Sequence, residues 1–336
     1  MQTNRPTAFI ALTLTTLLLQ ACSQEAPIQS EPVTEAPPPE TTTSVYDWHA
    51  RGVPAGETTI ERAGDGRVTT EAFVHWNNRE YRLQSELQLD ADGMVISQQI
   101  SGVSPFGATV NESSTYADGE ANWRTMGESG SAQSSRAAFY VPTEWGAVGS
   151  MEALVRAASK QIGGELALFP AGAARVEKLT DTTVPTPSGE ATLSLYAISG
   201  IDFSPIFAWF DDDMMLAARD LGRMGMLPQG WDPAILEALA SIQGEQNALR
   251  AERLSNELAN RVDGTVVIDN VGIVDVASGE LIPNHSVAVQ FGKITDISAE
   301  PIEMEGAEHI DGSGKYLIPG LWDMHGHFSL EDGLLN

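Results

Sequence analysis

The sequence predicts a β-rich α+β protein: an antiparallel sheet domain with a few helices, followed by a second, smaller β unit. Three observations carry this. Residues 81–89 alternate, with Tyr81, Leu83, Leu87 and Leu89 on one face and Arg82, Gln84, Glu86 and Gln88 on the other. That period of 2 marks a sheet with one wet side. Turn signals recur at Gly64-Asp65-Gly66, Asn77-Asn78, residues 90–93 and Asp118-Gly119, a spacing that suits a meander of long strands. Apolar residues at helical spacing are confined to three later segments, 149–162, 211–223 and 232–260.

At the amino terminus, residues 8–19 form an apolar run behind Arg5. It is too short to span a bilayer, which needs about 20 apolar residues, and has the layout of a secretory signal. It ends Leu19-Gln20-Ala21-Cys22, and Cys22 is the sole cysteine, so an intrachain disulfide is excluded. Leu-x-Ala-Cys resembles a bacterial lipobox. The resemblance implies cleavage before Cys22 and lipid on its thiol and new amino terminus. With Ser23 following, it implies a lipoprotein of the bacterial cell envelope, in the outer membrane and facing the periplasm. Residues 1–21 are then the signal peptide. Residues 22–45, rich in Pro, Thr and Glu, are expected to be a disordered tether.

Residues 46–230 are expected to form the sheet domain, with strands resuming at 137–141 and 191–198. Met151, Leu154, Val155 and Ala158 give the first helix its stripe. A connecting helix over 231–261 opens at Asp232-Pro233, a cap followed by proline in the first turn. Its stripe, Ile235, Leu236, Leu239 and Ile242, then Leu249, Leu254 and Leu258, should pack on the sheet and then bridge onward. A half-wrapped sheet with helices on one side suits an apolar ligand. Residues 46–260 carry no recognisable catalytic motif. Gly102-Val103-Ser104-Pro105-Phe106-Gly107 misses the Gly-x-Ser-x-Gly elbow by one residue, and His49 and His75 stand alone.

From residue 262 the strands shorten, at 265–268, 272–275, 286–290 and 294–297. The run DGSGKYLIPGLWDMHGH covers residues 311–327. If 316–327 is a strand, Asp323, His325 and His327 share one face at its exit. Imidazole is the commonest side-chain metal ligand. Over 265–327 the chain resembles the start of the amidohydrolase superfamily. The resemblance implies that 262–315 is part of a small β-sandwich and 316–336 the first strand of an incomplete (β/α)8 barrel. It implies His325 and His327 as ligands of a divalent metal, zinc, with one or two ions in the complete enzyme. Asp323 would support them from outside the ligand shell, with no complete catalytic set on this chain. The implied chemistry is hydrolysis of carbon–nitrogen bonds in small cyclic amide or dipeptide-like substrates. The family pattern adds a lysine or glutamate, two more histidines and a late aspartate. No Lys or His follows His327, and Asp332 lies too near the pair for that last role. The expectation is an amino-terminal fragment, inactive alone. The competing reading is a non-enzymatic periplasmic lipoprotein binding an apolar ligand or a protein partner through residues 46–260.

With 46 acidic against 19 basic residues, the net charge of −27 argues against a nucleic-acid partner. The expected partners are the membrane, through Cys22, and a small-molecule substrate.

Overall fold

The computed structural model describes residues 40–104, 106–133, 138–142, 147–202, 204–219, 224–259, 262 and 264–322. Cys22 lies outside them.

The protein is β-rich and built on a large antiparallel sheet. Its first half is a meander: β1 (Thr41–Ala50), β2 (Val53–Ala63), β3 (Arg67–Trp76), β4 (Arg79–Leu89), β5 (Val95–Val103), β6 (Thr109–Ala117), β7 (Glu120–Arg124) and β8 (Ser129–Gln133). Its tight turns use residues that tolerate positive φ, Asn77 and Asn78 at 54° and 59° and Asp118 at 52°. Tyr81, Leu83 and Leu87 of β4 are buried, as their alternation requires. β1 starts inside the stretch expected to be tether. Its β-branched Thr41, Thr42 and Thr43 pair with Ala63, Arg62 and Glu61 of β2.

The second half comprises β9 (Phe139–Tyr140), α1 (Val148–Ser159), β10 (Glu165–Phe169), β11 (Ala173–Thr186), β12 (Gly189–Ser199), β13 (Ile206–Phe210), β14 (Leu216–Arg219), β15 (Met224–Pro228) and α2 (Ala234–Leu258). β15 pairs with β1, so the sheet order is β8 down to β1, then β15 down to β9. All neighbours are antiparallel except β9 and β10. The sheet curls until its far end meets β6. Tyr140 Oη donates to Glu112 at 2.5 Å, and the Tyr116 and Phe169 rings lie 6.0 Å apart. Burial, then the Glu112 carboxylate, pushes the Tyr140 hydroxyl well above its usual range.

The helices pack on opposite faces of this sheet, not on one. Leu154 and Val155 of α1 share a core with Tyr46, Trp48, Ile60 and Ile198. Ile235 and Leu239 of α2 share another with Leu193, Leu195 and Trp209. The cause is in β12, where Leu193 and Leu195 face one way and Tyr196 and Ile198 the other, leaving both faces apolar. Asp232 Oδ1 accepts the Ala234 N–H at 2.9 Å and caps α2. Leu249 and Leu258 are exposed, while Arg250 and Arg253 tie this stretch of α2 to Glu177 of β11 at 3.5 and 2.5 Å.

Of the segment 211–223 expected to be helical, residues 211–219 are not, and 220–223 lie outside the described residues. Asp211 Oδ1 accepts the N–H groups of Asp213 (3.0 Å) and Met215 (2.8 Å), closing a turn that feeds β14. All four residues of β14 are buried, and Leu216 and Ala217 enter different cores. Burial on two faces overrides the helix propensity of Met, Leu and Ala.

The ladder has a break between β14 and β15. Proline brings no N–H to a sheet, and β15 stops at Pro228 after a single pairing with β14, Arg219 with Met226. Side chains meet the stranded Leu216 backbone instead. Glu152 Oε2 accepts its N–H at 3.0 Å, and its carbonyl accepts the Tyr46 hydroxyl at 2.7 Å. Glu152 is held in turn by Arg62, whose Nε and Nη2 each donate to one carboxylate oxygen at 2.6 Å. Burial disfavours the Arg62 charge, but the hydrogen bonds and charge of Glu152 outweigh it and raise its pKa. Burial, then the nearby Glu152 charge, raises the Tyr46 hydroxyl. Beside this network the sheet opens into a cavity of about 520 Å³ between β1 and β14.

A separate sheet contains β16 (Thr265–Asp275), β17 (Glu280–Gln290), β18 (Lys293–Ser298), β19 (Glu308–Asp311) and β20 (Tyr316–Leu317). The expected break at Asp269-Asn270 is a bulge, and β16 runs through it. Asn270 takes φ of 54° there without leaving the strand.

Candidate functional site

The segment expected to hold metal is launched from β16. Two short strands, β19 and β20, run parallel to it, Val266 opposite Glu308 and Gly272 opposite Tyr316. Between them the chain is held down by the Gly312 N–H on the Asp269 carbonyl (2.7 Å) and the Gly272 N–H on the Lys315 carbonyl (3.0 Å). Gly312 is needed for this approach: a Cβ there would stand 2.6 Å from Val271 Cβ. Asn270 Nδ2 donates to Ser313 Oγ at 2.7 Å, and Asp311 Oδ1 accepts the Ser313 N–H at 2.9 Å. Those bonds from Ser313 hold the Asp311 carboxyl below its usual range.

Asp269 joins three strands. Its Oδ2 lies 2.7 Å from His309 Nδ1 on β19, and its Oδ1 accepts the Ser286 hydroxyl of β17 at 3.0 Å. The His309 hydrogen bond, then that of Ser286, lowers the Asp269 pKa below 3.8. A depressed carboxylate stabilises the fold above its unfolded value and loses that contribution as pH falls through the folded one. The pair is partly exposed, so its worth is about 0.2–1 kcal/mol. In an NMR carboxyl titration Asp269 should titrate below the usual aspartate range, and His309→Ala should move it back towards that range. No movement would refute the link.

Strand geometry ends at Leu317 in the described residues, short of the extended run expected over 316–327. Pro319 and Gly320 follow, and Leu321 and Trp322 are both 89% exposed. Asp323, His325 and His327 lie outside the described residues. Among the described residues, no group of three or more His, Cys, Asp or Glu is placed to hold a metal ion. A catalytic zinc normally takes three protein ligands. Among the described residues, no helix is long and apolar enough to cross a membrane.

The Ser104 near-miss has a structural use. Its Oγ accepts the N–H groups of Phe106 (3.3 Å) and Ala108 (3.2 Å), shaping the turn between β5 and β6.

No protein-family model matches the chain. It is 33% identical over 87 residues to an adenine deaminase of Ruegeria pomeroyi, covering 25% of this chain and 14% of that protein. The figures are the same for adenine deaminase 3 of Rhizobium meliloti. The chain thus spans about 14% of the length of the curated relatives it matches. A β-barrel-like protein of a domain of unknown function from Brucella abortus aligns at a TM-score of 0.36 and 14% identity, over 57% of this chain and 94% of its own.

Sequence reasoning missed the Arg62–Glu152–Tyr46 network. The available signal was Glu152 itself, a carboxylate on a helix whose neighbours Ala153, Leu154 and Val155 are all buried.

Proposed function

We propose that the carboxy-terminal part of this chain is the leading segment of a metal-dependent amidohydrolase, a hydrolase of carbon–nitrogen bonds. His325 and His327 are its first two metal ligands, zinc is the metal, and Asp323 steadies them. The partial identity to adenine deaminases carries the reading, and it narrows the substrate class towards amino-substituted heterocycles such as adenine. The β16–β20 sheet, with its clamped turn at residues 311–315, supports it as the piece that delivers the histidine pair. A metal held by His325 and His327 would supply an activated water. This chain's own contribution is to position two imidazoles. The polypeptide is a lipoprotein held to the outer membrane at Cys22, so the enzyme works on the periplasmic face.

The test is a turnover assay of the purified 336-residue chain with zinc, read as ammonia release from adenine and as chromatographic loss of substrate for cyclic amides and dipeptides. The expected result is no turnover, with weak zinc uptake that His325→Ala and His327→Ala abolish. The coding sequence beyond codon 336 should supply the remaining histidines and aspartate. Metal-dependent turnover by the isolated chain, or zinc uptake indifferent to both substitutions, overturns the reading.

A further inference from the structure

We propose that the opening between β1 and β14 is a binding site for an amphiphilic monocation, an apolar chain carrying an ammonium head. The cavity of about 520 Å³ falls in the range of small-molecule sites, roughly 300–1,000 Å³. It exists because β15 ends at Pro228 and side chains, not a strand, satisfy Leu216. Those side chains hold the gap open as a fixed feature of the wall. Val45, Ala191, Met215 and Trp231 give the cavity an apolar lining for a hydrocarbon chain.

The head group is chosen by Asp211, which also lines the cavity. Its Oδ1 is committed to the N–H groups of Asp213 and Met215. Among the described residues, its Oδ2 accepts no hydrogen bond. Two guanidinium groups lie nearby. Arg62 is committed to Glu152, bidentate, and gives Nη1 to Ser44 at 2.9 Å. Arg156 Nη1 lies 3.6 Å from Glu152 and 3.6 Å from the sulfur of Met215 at the cavity wall, with no contact to Asp211. The charges acting on Asp211 are the acidic ones of Asp213 and Glu152. A cation would pair with the carboxylate and meet the Trp231 indole, and both contacts favour it. A fatty acid would set a like charge beside Asp211. The net charge of −27 adds a long-range pull on cations. The site extends the expectation of a ligand module in residues 46–260 and is independent of the hydrolase reading, since it needs neither metal nor His325.

The experiment is calorimetric titration of the full chain, in chelator, with decylammonium and with decanoate, both below their micelle concentrations. The expected result is saturable one-to-one binding of the cation, with decanoate at least tenfold weaker. Asp211→Asn should weaken the cation at least tenfold while keeping the fold, because the amide oxygen still accepts both N–H groups. Ala191→Phe, which puts a ring into the cavity, should abolish binding. Decanoate binding as tightly as the cation, an unaffected Asp211→Asn variant, or an unaffected Ala191→Phe variant overturns the proposal. So does the absence of saturable binding. Zinc uptake through the histidine pair is read separately, so either reading can fail alone.

Discussion

Arg62→Ala should destabilise the large sheet by about 3–5 kcal/mol, the cost of leaving one partner of a buried ion pair uncompensated. The Arg62 and Glu152 side chains are only 10% and 4% exposed, so water cannot replace the lost partner. The abandoned carboxylate would keep the Leu216 N–H and a distant Arg156, neither of which matches a bidentate guanidinium. Glu152→Ala should cost at least as much, since it strands Arg62 and the Leu216 N–H together. The joint variant Arg62→Met with Glu152→Leu should recover much of the loss, because no charge is then left in the core. Urea midpoints for the four proteins give the coupling directly. Additive single losses, or a single loss under about 1 kcal/mol, would show that the pair holds nothing together.

Trp48→Ala should cost a similar amount, about 3–5 kcal/mol for emptying a buried aromatic site. Trp48 is fully buried, lies opposite Gly56 on β2, and donates Nε1–H to Thr58 Oγ1 at 2.9 Å. Gly56 sits at φ 154°, where a Cβ would stand 2.0 Å from the Phe73 carbonyl, so the backbone there cannot shift to fill the hole. Trp48→Phe separates the two contributions. It keeps most of the volume and orphans the Thr58 hydroxyl, for a loss of about 1–3 kcal/mol. Equal midpoints for the Phe variant and the native chain would show that the indole hydrogen bond adds nothing.

The elements legible in the sequence were those whose signal is local. β4 declared itself by alternation, its turns by Asn and Asp-Gly, and α2 by Asp232 and its first apolar stripe. What escaped depends on partners far along the chain. Residues 211–223 look helical because Met, Leu and Ala favour helices. Residues 211–219 form a turn and a strand because Leu216 and Ala217 are claimed by two cores whose other members lie on α1, β1 and α2. The Asp269–His309 contact spans 40 positions and the Tyr46–Leu216 contact 170, and neither residue type announces its partner. The histidine pair was the reverse case. His325 and His327 were conspicuous as a motif, yet the described structure stops at Trp322, short of both. The cavity was invisible for a subtler reason: it is made by what β15 fails to do after Pro228.

The strand that begins the described chain is also the one in the middle of the sheet. β1 is gripped on one side by β2, from Thr41 against Ala63 to Ala50 against Val53, and on the other by β15, from Tyr46 against Pro228 to Ala50 against Met224. A pull delivered through Glu40 therefore runs lengthwise between two neighbours. An outermost strand would peel away one bond after another, like a zip. This one can leave only by shearing all its bonds at once, so the fold resists load best along the line by which the chain enters it.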